Sequence, residues 1–102
     1  MMVAYWIARA KINDPVEYKK YTDLVPDIIA EYGGKVLARG GDYDTLEGPE
    51  TFERFIVIEF PSMQAACDCH ASDAYQNARK FRLNGVGQNE LTIVSAGDAT
   101  PR

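Results

Sequence analysis

The sequence has few of the residues that form reactive sites or bind nucleic acid. Its 102 residues include two cysteines and one histidine, and eleven basic residues stand against fifteen acidic ones. The net charge is −4, and the basic residues are scattered apart from Arg79, Lys80 and Arg82. Binding to a phosphate backbone needs a clustered basic face. We therefore expect no nucleic-acid partner.

Long apolar runs are also missing. The longest, such as 3–8 and 55–58, are far shorter than the roughly 20 apolar residues that a membrane-spanning helix needs. The N-terminal segment has no basic stretch before its apolar residues and no small-residue cleavage motif, so no signal peptide is expected. These features predict a cytoplasmic protein with no membrane partner.

The two cysteines offer little for chemistry. Cys67 and Cys69 lie two positions apart in a predicted helix, where their side chains diverge, so we expect no disulfide between them. Cys67 and His70 share a helix face, which allows a reactive thiol or a pair of metal ligands. Zinc needs at least three protein ligands, and the chain has no other cysteine or histidine. We expect no metal and interpret Cys67 or Cys69 as a small buried core residue.

The order of predicted elements points to a single domain of the α+β class. Apolar residues make up 46% of the chain and charged residues 25%, an ordinary globular balance. The patterning predicts β-α-β-β-α-β, the split βαβ order of ferredoxin-like domains. This fold has a four-stranded antiparallel sheet with the helices on one face. We assign 1–96 to the domain and 97–102 to a flexible tail.

The predicted strands cover 1–12, 35–39, 52–60 and 91–96. Gly40–Gly41 suggests a bulge or bend after the second strand, with strand pairing resuming over 43–47. Residues 84–89 are predicted to form a loop before the last strand, because glycines interrupt the pattern there.

Helix boundaries are marked by capping residues. Asp14 is a predicted N-cap for a first helix that stops at Gly33–Gly34, and Pro26 is expected to kink or split this helix. Ser62 is expected to cap a second helix over 63–71, and Ser72 a further segment that runs to residue 82.

Strand alternation predicts a homodimer. In the first strand it places Val3, Tyr5 and Ile7 on one face, and Ala4, Trp6 and Ala8 on the other. The third strand is likewise apolar on both faces, with Phe55 and Val57 on one side. Since both helices cover the same face, the other face would expose a large apolar patch. Pairing two sheets face to face would bury it.

Five segments in order carry a resemblance to a known family. They are YWIAR (5–9), DPVEYKKY (14–21), YGGKVLARGG (32–41), VIEFPS (57–62) and SDAYQNAR (72–79). Together they resemble domain-of-unknown-function family 1330, in the dimeric α/β-barrel superfamily, over about residues 3–95. The resemblance implies a ferredoxin-like fold with two facing sheets and implies no reaction. The chain departs from the family at 67–70, where members tend to carry aromatic residues.

Glu59 and Arg9 are the first candidate site residues. Glu59 is predicted to lie near the end of the third strand, on the face of Phe55 and Val57. If the first and third strands are parallel neighbours, Arg9 lies at a similar height on that face. The two side chains would then hold a polar ligand in a sheet–sheet cavity, or Glu59 would act as a base. The alternative is that they simply pair with each other.

Three further residues complete the candidate ligand-binding set. Arg39 adjoins the predicted bulge, a place where side chains are often directed toward a site, although an edge-strand arginine is also a common solvated charge. His70 is the one side chain that titrates near neutral pH. Tyr75 belongs to a family-like segment, and its helical spacing is equally compatible with the core.

These residues support three functional hypotheses. The leading one is a homodimer that binds a small organic molecule, without a cofactor, in a cavity between sheet and helices. The alternative is a cofactor-independent monooxygenase or isomerase, in which Glu59 or His70 moves a proton, because 70–72 with Glu59 is weakly similar to the monooxygenase branch of the superfamily. The third is an interaction module whose interior is filled by side chains.

Overall fold

The first strand lies at the centre of the sheet. In the computed structural model, which describes residues 2–101, β1 (Ala4–Ile12) is flanked by two antiparallel neighbours, β3 (Arg54–Phe60) and β4 (Gly87–Ser95). β2 (Lys35–Arg39) pairs with β3, so the strand order is β2-β3-β1-β4. The predicted four-stranded antiparallel sheet of an α+β, ferredoxin-like fold is therefore present.

Three helices follow the predicted capping signals. They are α1 (Pro15–Glu31), α2 (Met63–Ala71) and α3 (Asp73–Arg79), the last continuing into a 3-10 turn (Lys80–Arg82). The side chain of Asp14 accepts hydrogen bonds from the backbone N–H groups of Val16 and Glu17, which begins α1. Ser62 and Ser72 cap α2 and α3 in the same way. Within residues 2–101, no helix is long and apolar enough to cross a bilayer.

The core lies between the helices and one side of the sheet, which we call the inner face. Along β1 the buried residues are Ala4, Trp6, Ala8 and Ala10, as the alternation predicted. The Trp6 ring stacks on Phe60 with centroids 5.7 Å apart and meets the edge of Tyr75 at 5.2 Å. Trp6 lies on the sheet and Tyr75 on α3, so these contacts pack α3 against the sheet. They stabilise the core because large aromatic side chains bury much apolar area.

The opposite side, the outer face, carries the other half of the alternation. Ile7 is 47% exposed there, and Tyr5, Phe55 and Val57 are half-buried. No helix covers these residues in the described chain.

Several predicted boundaries were wrong. The register shift between β2 and β3 lies between Val36 and Ala38, so a bulge at Gly40–Gly41 was wrong, whereas the alternative of a bend is confirmed at Gly40. Pairing does not resume over 43–47, because Gly40 turns the chain away at a φ of 70° and Tyr43 packs on the Phe55 ring instead. The expected strand start at Met1 lies outside the described residues.

The predicted loop over 84–89 and the expected split of α1 at Pro26 also need correction. Only Asn84 and Gly85 adopt positive φ, so the turn is short and β4 already begins at Gly87, paired with Ile12. Helix α1 is continuous through Pro26, whose ring costs one backbone hydrogen bond. Burial of Val25 and Ile29 on either side holds the helix against the sheet.

Candidate functional site

A cleft opens between the inner face and α1. Its cavity volume is about 40 Å³, and about 530 Å³ when the open solvent at its mouth is included. Its wall is largely aromatic and aliphatic, with contributions from Trp6, Tyr18, Tyr21, Val25, Ile56 and Leu91.

The small side chain of Ala8 leaves room for this cleft. Ala8 lies on the central strand between two larger neighbours, Ile56 of β3 and Leu91 of β4. A single methyl group at this position leaves space above the middle of the sheet, which a leucine side chain would occupy.

Three arginines from three elements border the cleft. Arg39 ends β2, Arg54 begins β3 and Arg82 ends the 3-10 turn. Arg39 is exposed and Arg54 half-buried, whereas Arg82 is only 6% exposed. Within residues 2–101, none of the three forms an ion pair with a carboxylate. The cleft is therefore positively charged in a protein whose net charge is negative.

Arg82 is held by two tyrosines. Its Nη2 donates to the Tyr75 hydroxyl at 3.3 Å, and its guanidinium lies over the Tyr21 ring at 5.0 Å. Burial alone would lower the pKa of Arg82, but the interactions with Tyr75, and to a smaller extent with Tyr21, outweigh it and the pKa is raised. Burial also raises the pKa of the Tyr21 hydroxyl, reinforced by Tyr75. At neutral pH the arginine is thus charged and the Tyr21 phenol neutral.

Two buried polar atoms at the cleft have no hydrogen-bond partner among the described residues. One is Nε of Arg82 and the other is Oδ1 of Asn89. The side-chain amide of Asn89 is held in place by its nitrogen, because Nδ2 donates to the Tyr18 hydroxyl at 2.8 Å. Buried polar atoms are normally satisfied by a partner, so both atoms mark this wall as a place for a polar group.

The structure brings only Arg39 of the predicted set to the cleft wall. Arg9 lies on the outer face, where Nε and Nη2 each lie 2.8 Å from Oε1 of Glu90 and the guanidinium stacks on the Phe52 ring at 4.2 Å. Glu90 borders the cleft as well, but its carboxylate is engaged by Arg9. The outer face has an open groove with a volume of about 220 Å³ beside Ile7 and Phe55, and Arg9 lines it.

The expectation that Arg9 and Glu59 lie at a similar height on the sheet was wrong. β1 and β3 are antiparallel, so Arg9 lies opposite Phe55 while Glu59 lies opposite Tyr5. The two charges share the outer face but lie four residues apart along the strand direction, which is roughly 13 Å. They therefore form neither an ion pair nor a joint site within one chain.

His70 and Tyr75 lie behind the cleft and not in its wall. The His70 ring packs beside Trp6 and Tyr75, with centroids 5.8 Å and 5.1 Å away. Burial lowers the pKa of His70, assisted by the positive charges of Arg79 and Arg82. Tyr75 is fully buried and acts on the cleft through its hydroxyl, which contacts Arg82.

The two cysteines differ in exposure, and both thiols are free. Cys69 is buried, and burial raises its pKa to about 11, with a further contribution from Glu31. Cys67 is exposed. In residues 2–101, no group of three or more histidine, cysteine or acidic residues is placed to hold a metal ion.

The family of the chain follows from a match along most of its length. The profile described as domain of unknown function DUF1330 matches residues 3–96. The chain belongs to this family. The resemblance read from the five sequence segments is confirmed, and DUF1330 carries no assigned activity.

Solved structures support the DUF1330 fold. A protein of unknown function from Rhodopseudomonas palustris is 20% identical, with a TM-score of 0.74 over 95% of this chain and 84% of that one. SnoaB, a cofactor-independent oxygenase from Streptomyces nogalater, is 11% identical, with a TM-score of 0.67 over the full length of both chains. A dimeric ferredoxin-like protein of unknown function from Bacteroides fragilis is 12% identical, with a TM-score of 0.63 over 92% and 96%. At these identities the likeness shows the fold alone.

No curated protein is significantly similar to the chain.

Three residues of the cleft were missed from the sequence. Arg54 was not considered as a site residue. Arg82 was noted only as part of the basic group 79–82, and Asn89 only as part of a loop. The available signal was the basic group itself, which stands out in a chain with scattered positive charges.

Proposed function

We propose that this protein binds a small organic molecule in the cleft between the inner face and α1, and that it does so as a homodimer. The supporting observation is the pair of buried, unpartnered polar atoms, Arg82 Nε and Asn89 Oδ1, in an otherwise largely apolar wall. Ligand pockets generally combine apolar walls with a few such polar groups. Arg39 would contribute a positive charge at the exposed edge.

The homodimer would form through the outer face. Tyr5, Ile7, Phe55 and Val57 form an apolar surface there that no helix covers in the described chain, and contiguous patches of this kind commonly mark interaction sites. A two-fold pairing would place this surface against its own copy. Arg9 and Glu59, the two predicted ligand residues on this face, would then lie near the interface.

Native mass spectrometry of the protein as purified from cells tests ligand binding. We expect a non-covalent small-molecule adduct that is released under denaturing conditions. Ala8→Leu fills the cleft and should remove the adduct. Ala30→Leu makes the same change at an exposed position of α1 and should keep it. A folded Ala8→Leu protein that retains the same adduct would place the ligand elsewhere.

The enzymatic alternative has weaker support. A cofactor-independent monooxygenase or isomerase that uses Glu59 or His70 would need one of them beside the bound molecule, and neither lines the cleft. Glu59→Gln should then leave ligand binding unchanged, whereas the alternative requires it to abolish turnover in a folded dimer. The third hypothesis, an interaction module with a filled interior, remains an alternative, because the cavity volume of the cleft is only about 40 Å³.

The remaining expectations stay predictions. They are the cytoplasmic location, the lack of a nucleic-acid partner, the domain boundary near residue 96 and the flexible tail, whose last residue Arg102 lies outside the described chain.

A further inference from the structure

We propose that the molecule bound in the cleft is an organic anion, in which a carboxylate attached to a flat apolar body is held by the buried guanidinium of Arg82. This inference rests on the proposed ligand-binding function and adds the chemical class of the ligand. Three observations support it: the charge of the cleft, the Nε–H of Arg82 that has no acceptor, and the aromatic wall.

The first argument is the charge balance. Arg39, Arg54 and Arg82 border one cleft, and no carboxylate within residues 2–101 forms an ion pair with any of them. The acidic residue in the wall, Glu90, has its carboxylate 2.8 Å from Arg9 on the outer face. A cleft with three positive charges and no free negative one attracts anions and repels cations.

The second argument is the state of Arg82. Burying a charge without an opposite charge is costly, and Arg82 is 6% exposed. The Tyr75 hydroxyl and the Tyr21 ring provide polar and cation–π contacts but no negative charge. Nε still has a hydrogen to donate. A carboxylate oxygen at Nε would supply both the missing hydrogen bond and the missing charge.

The third argument separates an organic anion from an inorganic one. The wall that Arg82 shares with Trp6, Tyr21, Val25 and Ile29 is largely apolar there. An inorganic anion would leave this surface without a partner. A molecule with a flat apolar body would cover it while its carboxylate reaches Arg82.

Three molecules of the same shape and different charge test this inference. Benzoate, benzamide and benzamidine carry a carboxylate, a neutral amide and a cation on the same ring. Each is titrated into ¹⁵N-labelled protein, and the resonances of Trp6 and Asn89 are followed by NMR. We expect benzoate to bind about tenfold or more tightly than benzamide, because it adds a charge-assisted hydrogen bond, and benzamidine to leave these resonances unchanged.

Matched variants locate the charge that is responsible. Arg82→Gln should abolish the preference for benzoate over benzamide. Arg79→Gln removes the same charge three residues earlier, outside the cleft wall, and should preserve the preference. Because substitution of the buried Arg82 can also disturb folding, Arg54→Gln is a second probe on a half-buried residue and should reduce the preference several-fold.

The outcomes separate this inference from the function on which it rests. Equal binding of benzoate and benzamide at the cleft would overturn the anion assignment and leave the binding cleft intact. A preference for benzoate that survives in folded Arg82→Gln would also overturn it, and so would an unchanged preference in Arg54→Gln if Arg82→Gln does not fold. If none of the three molecules shifts the Trp6 and Asn89 resonances at millimolar concentration, the ligand-binding function itself is contradicted.

Discussion

The hydroxyl oxygens of Tyr21 and Tyr75 lie 2.8 Å apart and link α1 to α3 by one hydrogen bond. The Tyr75 hydroxyl also accepts the hydrogen bond from Arg82, so it lies between the phenol of one helix and the buried charge of the 3-10 turn. One oxygen atom therefore orients both the wall of the cleft and its arginine.

Tyr75→Phe is expected to destabilise the protein by about 1–3 kcal/mol, because the buried Arg82 and Tyr21 both lose a hydrogen-bond partner. Tyr21→Phe should cost less, since Arg82 keeps its bond to Tyr75. Urea unfolding followed by circular dichroism measures both changes. Tyr43→Phe, at an exposed position, serves as the control. If Tyr75→Phe unfolds at the same urea concentration as this control, the hydroxyl has no structural role.

The two thiols are expected to react at very different rates. Cys67 is exposed, whereas Cys69 is buried and has a pKa of about 11, so little of it is thiolate near neutral pH. Titration of the native protein with Ellman's reagent should show one fast thiol. Cys67→Ser should remove the fast phase and Cys69→Ser should preserve it. A fast phase that persists in Cys67→Ser would show that Cys69 is accessible.

Stability is expected to fall in mild acid partly through His70. Its pKa is lowered in the folded state by burial and by Arg79 and Arg82, so the unfolded chain binds more protons below its own pKa of about 6.5. This contribution is absent above that pH and grows as the pH falls through and below it. His70→Asn should therefore lose less stability than the wild type between about pH 7.5 and about pH 5. Equal losses in chemical denaturation at the two pH values would show that the histidine is unperturbed.

A charge on the outer face is expected to separate the proposed dimer. Ile7→Lys adds a cation to the apolar surface of β1 without touching the inner face. Sedimentation velocity should show a dimer for the wild type and a monomer for the variant. Val16→Lys makes a similar change at an exposed position at the start of α1 and should remain dimeric. A monomeric wild type would contradict the assembly.

The fold was predictable because its signals are local. The two-residue alternation of β1 separates Trp6 from Ile7, and short caps such as Asp14 and Ser72 begin helices without help from distant contacts. The predicted ends of strands and loops were wrong where contacts between distant residues determine them. Tyr43 packs on Phe55 instead of extending a strand, and Gly87 pairs with Ile12 instead of remaining in a loop.

The cleft was much less predictable. Arg39, Arg54 and Arg82 are up to 43 positions apart in the sequence, since 82 − 39 = 43, and only the packed sheet and 3-10 turn bring them to one wall. Strand direction mattered equally, because the antiparallel pairing of β1 and β3 moves Glu59 away from Arg9. Burial of Arg82 between two tyrosines depends on α3, whose position relative to α1 has no signal in the local sequence.

Two neighbouring residues of β1, Ile7 and Ala8, point to opposite sides of the sheet, one toward the proposed partner subunit and the other toward the cleft. A single residue inserted into or deleted from this strand would move every side chain beyond it to the opposite face of the sheet. Under the proposed assembly and ligand binding, the length of β1 is constrained from both faces of the sheet. The largely exposed stretch 44–51 lies outside the strands and the cleft wall, and it is where the chain has freedom to lengthen.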